Sequence, residues 1–182
     1  LTYVGNALCG NDERVGIPNV IVRRWVLESR SLAEACLRAA HPELARGSNH
    51  LLADPVGGIV NLETSAGAHS SLDEERVFAH TNHYIHGDMI RYEGSFRENS
   101  RRRLQRARQL LEEGMEREED PLQLVMDVLR DHAGVPICSH PAGEAAPTDG
   151  MTVGSMVCDV DNGYMWVCAG PPCSNTYTKY SL

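Results

Sequence analysis

The chain has 182 residues, 42% of them apolar and 23% charged, with a formal net charge of −8. That composition is ordinary for a soluble globular protein, and the length suits one domain, 1–182, with a core of its own. The acidic balance argues against a nucleic-acid partner, no apolar run is long enough to span a bilayer, and no stretch has the form of a signal peptide.

Taken in order, Leu1 to Leu8 reads as the end of a strand, with Gly5-Asn6 permitting a bend. Gly16-Ile17-Pro18 opens a helix whose apolar face is expected at Val20, Ile21, Trp25, Val26 and Leu27. Ser31-Leu32-Ala33-Glu34 has capping-box spacing and starts a second helix, with Leu32, Ala35, Cys36 and Ala39 inward and Pro42 ending it. Strands follow at His50 to Ala53 and Ile59 to Glu63, joined by the turn Asp54 to Gly58. After the acidic turn Asp73-Glu74-Glu75, the run Val77 to Asn82 is expected to be a further strand.

His83 to Phe96 shows no period and reads as a loop. The longest helix runs from Asn99 or Ser100 to about Glu116, with Leu104, Ala107, Leu110, Leu111 and Met115 on one side. Its arginines, Arg101 to Arg103, Arg106 and Arg108, are offset by Glu112, Glu113, Glu116, Glu118 and Glu119, so it is a solvated helix of both signs. Asp120-Pro121 caps another helix, with Leu122, Val125, Met126 and Leu129 inward. Pro141 to Asp149 reads as a small-residue loop. Met151 to Cys158 and Tyr164 to Ala169 form a hairpin about the Asn162-Gly163 turn, and an extended tail follows. Strands at Leu51, Val60, Val77, Val153 and Met165 are expected in the interior layers of an α+β fold.

The chemistry concentrates in Phe78-Ala79-His80-Thr81-Asn82-His83-Tyr84. Two imidazoles, a carboxamide, a hydroxyl and a phenol in five residues would each need a partner if buried, and would form a site if exposed at a strand end. A plain polar surface loop is the alternative.

His80-Thr81-Asn82-His83 resembles the HTNH segment of the isopenicillin-N acyltransferase family, which comprises self-processing cysteine acyltransferases and amidohydrolases of the N-terminal-nucleophile type. Asn6-Ala7-Leu8, the Gly16-Ile17-Pro18 opening, Leu27-Glu28-Ser29 and the pair Ser100 and Arg103 are similar to the family pattern, as is the tail. The resemblance implies a four-layer αββα sandwich. It also implies Asn82 as oxyanion-hole donor, supported by His80, Thr81, His83, Ser100 and Arg103, and a carboxamide is suited to that role as a neutral donor. It implies no cofactor, and a small-molecule acyl donor, an acyl-coenzyme A or an amide, as substrate.

In that family the nucleophile is a Cys exposed by self-cleavage, and its own α-amine acts as base. The chain begins with Leu inside a strand-like run, so that Cys is expected on an upstream segment of the same precursor, and the 182 residues alone are expected to be inactive on amides and thioesters. Cys9 is an alternative nucleophile within the chain. Asp149 stands where the penicillin-forming members carry Arg.

Two other readings stay open. His80, His83 and His86, with Asp88 near, could hold a metal if a helix placed them on one face. The chain could also be a non-catalytic remnant that acts in binding. The six cysteines show no CxxC pair, which favours reduced thiols in a cytoplasmic setting, with Cys168 and Cys173 a possible bridge elsewhere.

Overall fold

The computed structural model describes residues 1–72, 77–95, 98–140 and 150–182. The acidic turn Asp73-Glu74-Glu75, Phe96 and the loop 141–149, with Asp149 in it, lie outside the described residues. The chain forms two compact units, Leu1–Arg101 and Arg102–Leu182. Each combines helix with sheet, as the α+β expectation requires.

The first unit is an antiparallel sheet of four strands in chain order: β1 (Thr2–Ala7), β2 (Ser48–Ala53), β3 (Ile59–Thr64) and β4 (His69–Ser71). The β2–β3 turn forms as its sequence dictates. Asp54 Oδ1 accepts from the amides of Val56 and Gly58 at 3.1 and 2.9 Å, and Gly57 takes a left-handed φ of 93°. Two helices cover one face, α1 (Asn19–Leu27) and α2 (Leu32–Ala39). Ser31 caps α2 by accepting from Glu34 N at 3.2 Å, while Glu34 Oε2 accepts from Arg30 N at 2.8 Å. The core between the layers is Val22, Val26, Ala35, Ala39, Leu44, Leu52 and Leu62, with Tyr3 and Val60 against it.

Within α1 the expected apolar face is only partly right. Val26 is buried, but Val22 rather than Val20 is its partner, and Val20, Ile21 and Leu27 are exposed. Val22 and Val26 are four apart and share a face, whereas the consecutive pair Val20-Ile21 cannot.

The same covered face holds a buried histidine. His50 Nε2 lies 3.2 Å from Thr64 Oγ1, which accepts from Ser48 N and donates to Ser48 O. The ring is therefore a neutral Nε2–H donor, and burial, aided by the charge of Arg23, pushes its pKa down from 6.5 to about 3. Between those values the unfolded chain binds a proton that the folded chain refuses. This histidine's contribution to stability is thus complete above pH 6.5 and lost as the pH falls towards 3. Its share of the slope should reach about 1.4 kcal/mol per pH unit. Urea unfolding of the wild type and of His50→Gln from pH 7 down to pH 4 should show the slope shrinking in the variant.

The second unit carries most of α3 (Glu98–Glu116), then α4 (Pro121–Arg130) and a three-stranded antiparallel sheet of β5 (Gly154–Asp159), β6 (Tyr164–Ala169) and β7 (Thr178–Ser181). Asp120 caps α4, accepting from Gln123 N at 2.9 Å, with Pro121 in the first turn. Leu124, Met126 and Val128 are its most buried residues, and Val125 is exposed. A Cβ on Gly114 of α3 would stand 2.2 Å from Leu124 Cδ1, so the glycine is what lets the two helices approach. Arg106 grips the Asp131 carboxylate with Nη2 on Oδ1 at 2.8 Å and Nε on Oδ2 at 3.2 Å. Asp159 and a left-handed Gly163 close the β5–β6 hairpin.

Two expected strand positions are corrected. Val153 is exposed and precedes β5. Val77 to Asn82 forms no strand. The cause lies in its polar residues, whose side chains and backbone find partners other than a β ladder.

Candidate functional site

Alternation along a strand sends successive side chains to opposite faces. With Leu52 and Leu62 turned to the helices, Asn49, Asn61 and Glu63 must occupy the other face. The strand register sets Asn6 opposite Asn49, Asn49 opposite Glu63, and Glu63 opposite Ser70. One polar row therefore crosses all four strands, and Asn49, Asn61 and Glu63 are buried. Asn49 Nδ2 donates to Asn61 Oδ1 within it.

The segment 80–86 lies along this row. Glu63 is fully buried and accepts from three donors: His80 Nε2 at 2.7 Å and Ile85 N at 2.7 Å on Oε1, and His86 N at 3.1 Å on Oε2. Asn6 Nδ2 is 3.4 Å from His80 Nδ1, and His86 Nε2 is 3.1 Å from Ser70 Oγ. Each end of the row is thus tied to an imidazole of the segment. Tyr84 adds a further anchor, its hydroxyl donating to Thr64 O at 3.0 Å. Burial, with Asp12, Glu63 and Glu93 nearby, raises the tyrosine's pKa and keeps it a neutral donor. A Cβ on Gly47 would stand 2.0 Å from that hydroxyl, so only glycine fits there.

A second cluster holds the other side of the segment. Ser100 is buried and reaches three groups: Asn82 N at 2.7 Å, His83 Nδ1 at 2.9 Å and Thr81 Oγ1 at 3.0 Å. Thr81 Oγ1 donates to Ser100 O at 2.9 Å. One proton assignment satisfies the set. Thr81 donates to the carbonyl, Ser100 donates to Thr81, and Ser100 Oγ accepts from Asn82 N–H and His83 Nδ1–H. A serine 2.9 Å from an imidazole has the spacing of a nucleophile–base pair. Here the serine is only 2% exposed and its oxygen is occupied by donors, the Asn82 amide among them.

Asn82 is held at both ends. Its backbone amide is on Ser100, and its Nδ2 donates at 3.2 Å to Ala7 O, at the end of β1. The carboxamide is consequently placed beside the end of β1, in an exposed contact. Of the residues singled out from sequence, the fold brings together His80, Thr81, Asn82, His83 and Ser100. Arg103 is half-buried on α3 and belongs to the second unit.

The three-histidine metal reading is corrected by the same contacts. His80 is bound to Glu63, His83 to Ser100 and His86 to Ser70, three separate partners on a segment that is not helical. Cys9 is half-buried, with Arg46 Nη2 3.7 Å from its Sγ, and Arg46 also pairs with Glu13 at 3.3 Å. Glu63 is the buried residue at the centre of this cluster that sequence reasoning missed. Its signal was the alternation Asn61-Leu62-Glu63, which predicts two polar groups on one face of an inner strand.

The model of the family described as acyl-coenzyme A:6-aminopenicillanic acid acyl-transferase matches residues 2–173. No curated protein matches the chain.

Proposed function

The chain belongs to the acyl-coenzyme A:6-aminopenicillanic acid acyl-transferase family, and on that premise we propose that it is the part of a cysteine acyltransferase or amidohydrolase that carries the oxyanion donor. The bond cleaved is a linear amide or a thioester, and the acyl donor is a small molecule. The observation that carries this reading is the double anchoring of Asn82, by Ser100 Oγ on its amide and Ala7 O on its carboxamide.

An N-terminal Cys outside these 182 residues attacks the acyl carbonyl. The carbonyl oxygen becomes an oxyanion, and the Asn82 NH2 donates to it. A donor fixed before reaction stabilises developing charge without reorganising, which is the main source of catalysis by such groups. His80, Thr81, His83 and Ser100 act through Asn82 by holding its backbone.

The test is to trap the acyl-enzyme. The complete protein, incubated with a slowly hydrolysed acyl thioester and digested, should carry the acyl group on one cysteine outside residues 1–182. The label on Cys9 would overturn the assignment of the nucleophile, and no label on any cysteine would overturn covalent acyl transfer.

A further inference from the structure

The second unit brings together three ligating side chains that are far apart in sequence. His132 follows α4, Cys138 lies in the loop after it, and Cys173 lies between β6 and β7. One ligand atom from each falls within 4.8 Å of the other two. The bridge weighed from sequence, Cys168 with Cys173, is not the pair that the fold assembles. Cys168 Sγ is directed to Gly170 O at 3.8 Å. We propose that Cys138, Cys173 and His132 form a binding site for a thiophilic divalent cation, with zinc as the natural occupant. The site lies outside the acyl-transfer chemistry and does not depend on it.

Two thiolates and an imidazole are three of the four donors zinc takes in a tetrahedral site, with water completing the fourth position, and the bonds are about 2.3 Å to sulfur and about 2.0–2.1 Å to nitrogen. Those bonds place the ligand atoms about 3.5–3.8 Å apart, so closing on the ion shortens any ligand–ligand separation by about 1.3 Å at most. The backbone around the site is already fixed. Cys138 N donates to Asp131 O at 3.1 Å, next to His132, and Ser139 N donates to Thr152 Oγ1 at 3.0 Å. Arg130 Nε donates to Pro172 O at 3.2 Å, which ties the residue before Cys173 to the end of α4. His140 Nε2 lies 3.2 Å from His132 Nδ1 and orients that ring, as outer hydrogen-bond partners of metal-binding histidines do. Cys138 is buried while His132 is exposed, so the site has a protein floor and a solvent entry.

Binding converts two thiols and a cation to a dithiolate complex and two released protons, with no change in oxidation state. The experiment uses the full chain purified with reductant, stripped by a chelator and titrated with Co2+. One ion per chain should bind, with the charge-transfer absorption of thiolate–cobalt and the visible bands of tetrahedral cobalt, and Zn2+ should displace it. The charge-transfer band should fall in Cys138→Ser and in Cys173→Ser, and the affinity should fall tenfold or more in His132→Ala. Because a cysteine variant can fail to fold, the wild type is also heated with and without chelator. Its Tm should drop and be restored by Zn2+ but not by Mg2+. Substoichiometric binding with the thiols reduced, a spectrum unchanged by both cysteine variants, a Tm indifferent to Zn2+, or a Cys138–Cys173 disulfide in protein isolated with its thiols protected would overturn the proposal.

Discussion

Asn82→Ala should lower kcat of the complete enzyme by roughly a hundredfold or more while the fold survives. The two halves of that expectation have separate structural grounds. The fold survives because the bond to Ser100 is made by the Asn82 backbone, which alanine keeps. The lost contact, Nδ2 to Ala7 O, is exposed and neutral, worth about 1 kcal/mol. The rate falls because a donor aimed at the oxyanion acts in the transition state and hardly at all on the bound substrate. The loss should therefore fall on kcat, with KM little changed. Asn82→Asp should be as damaging or worse, since a carboxylate repels the oxyanion and also faces the Ala7 carbonyl as one acceptor against another. Steady-state kinetics on both variants, with circular dichroism to check the fold, make the measurement. A wild-type kcat in Asn82→Ala would remove the oxyanion assignment.

Local rules were enough for much of the architecture. The Asp54-to-Gly58 and Asn162-Gly163 turns, the Ser31 and Asp120 caps and the extent of β6 all follow from residues within a few positions of one another. What was not legible depends on distant pairing. Val77 to Asn82 has the apolar start of a strand, but the donors and acceptors of 80–83 are met by Glu63 and Ser100, which are 17 to 19 positions away. Nothing in the local pattern states that. The metal reading failed for the same reason. His80, His83 and His86 are close in sequence and go to different partners, while His132, Cys138 and Cys173 share no motif spacing and converge. In the cluster around Asn82, HTNH drew attention to the segment, and Ser100 was singled out only through the family resemblance. The residue that supports the segment from below, Glu63, looks in sequence like a strand's solvent-facing carboxylate.

Glu63→Gln should cost about 1–3 kcal/mol of stability, the loss expected when a buried donor is left without its acceptor. The carboxylate has two acceptor oxygens, and both are occupied by donors: His80 and Ile85 on one, His86 on the other. A carboxamide offers one oxygen and one NH2. Whichever way it turns, the NH2 faces an N–H, leaving at least one buried donor without an acceptor. Volume is unchanged, so the effect cannot be attributed to a cavity. The damage should also be local. The amides of Ile85 and His86 should exchange with solvent faster than in the wild type, while those of α1 and α2 keep their relative protection. Function should fall with it, because His80 is two residues from Asn82 and loses its tie to the sheet. That gives the variant a signature different from that of Asn82→Ala, in which activity is lost and the urea midpoint is nearly kept. If Glu63→Gln unfolds within 1 kcal/mol of the wild type and leaves kcat intact, the polar row does not position the site, and the support of Asn82 comes from contacts outside the row, those with Ser100 and Ala7 among them.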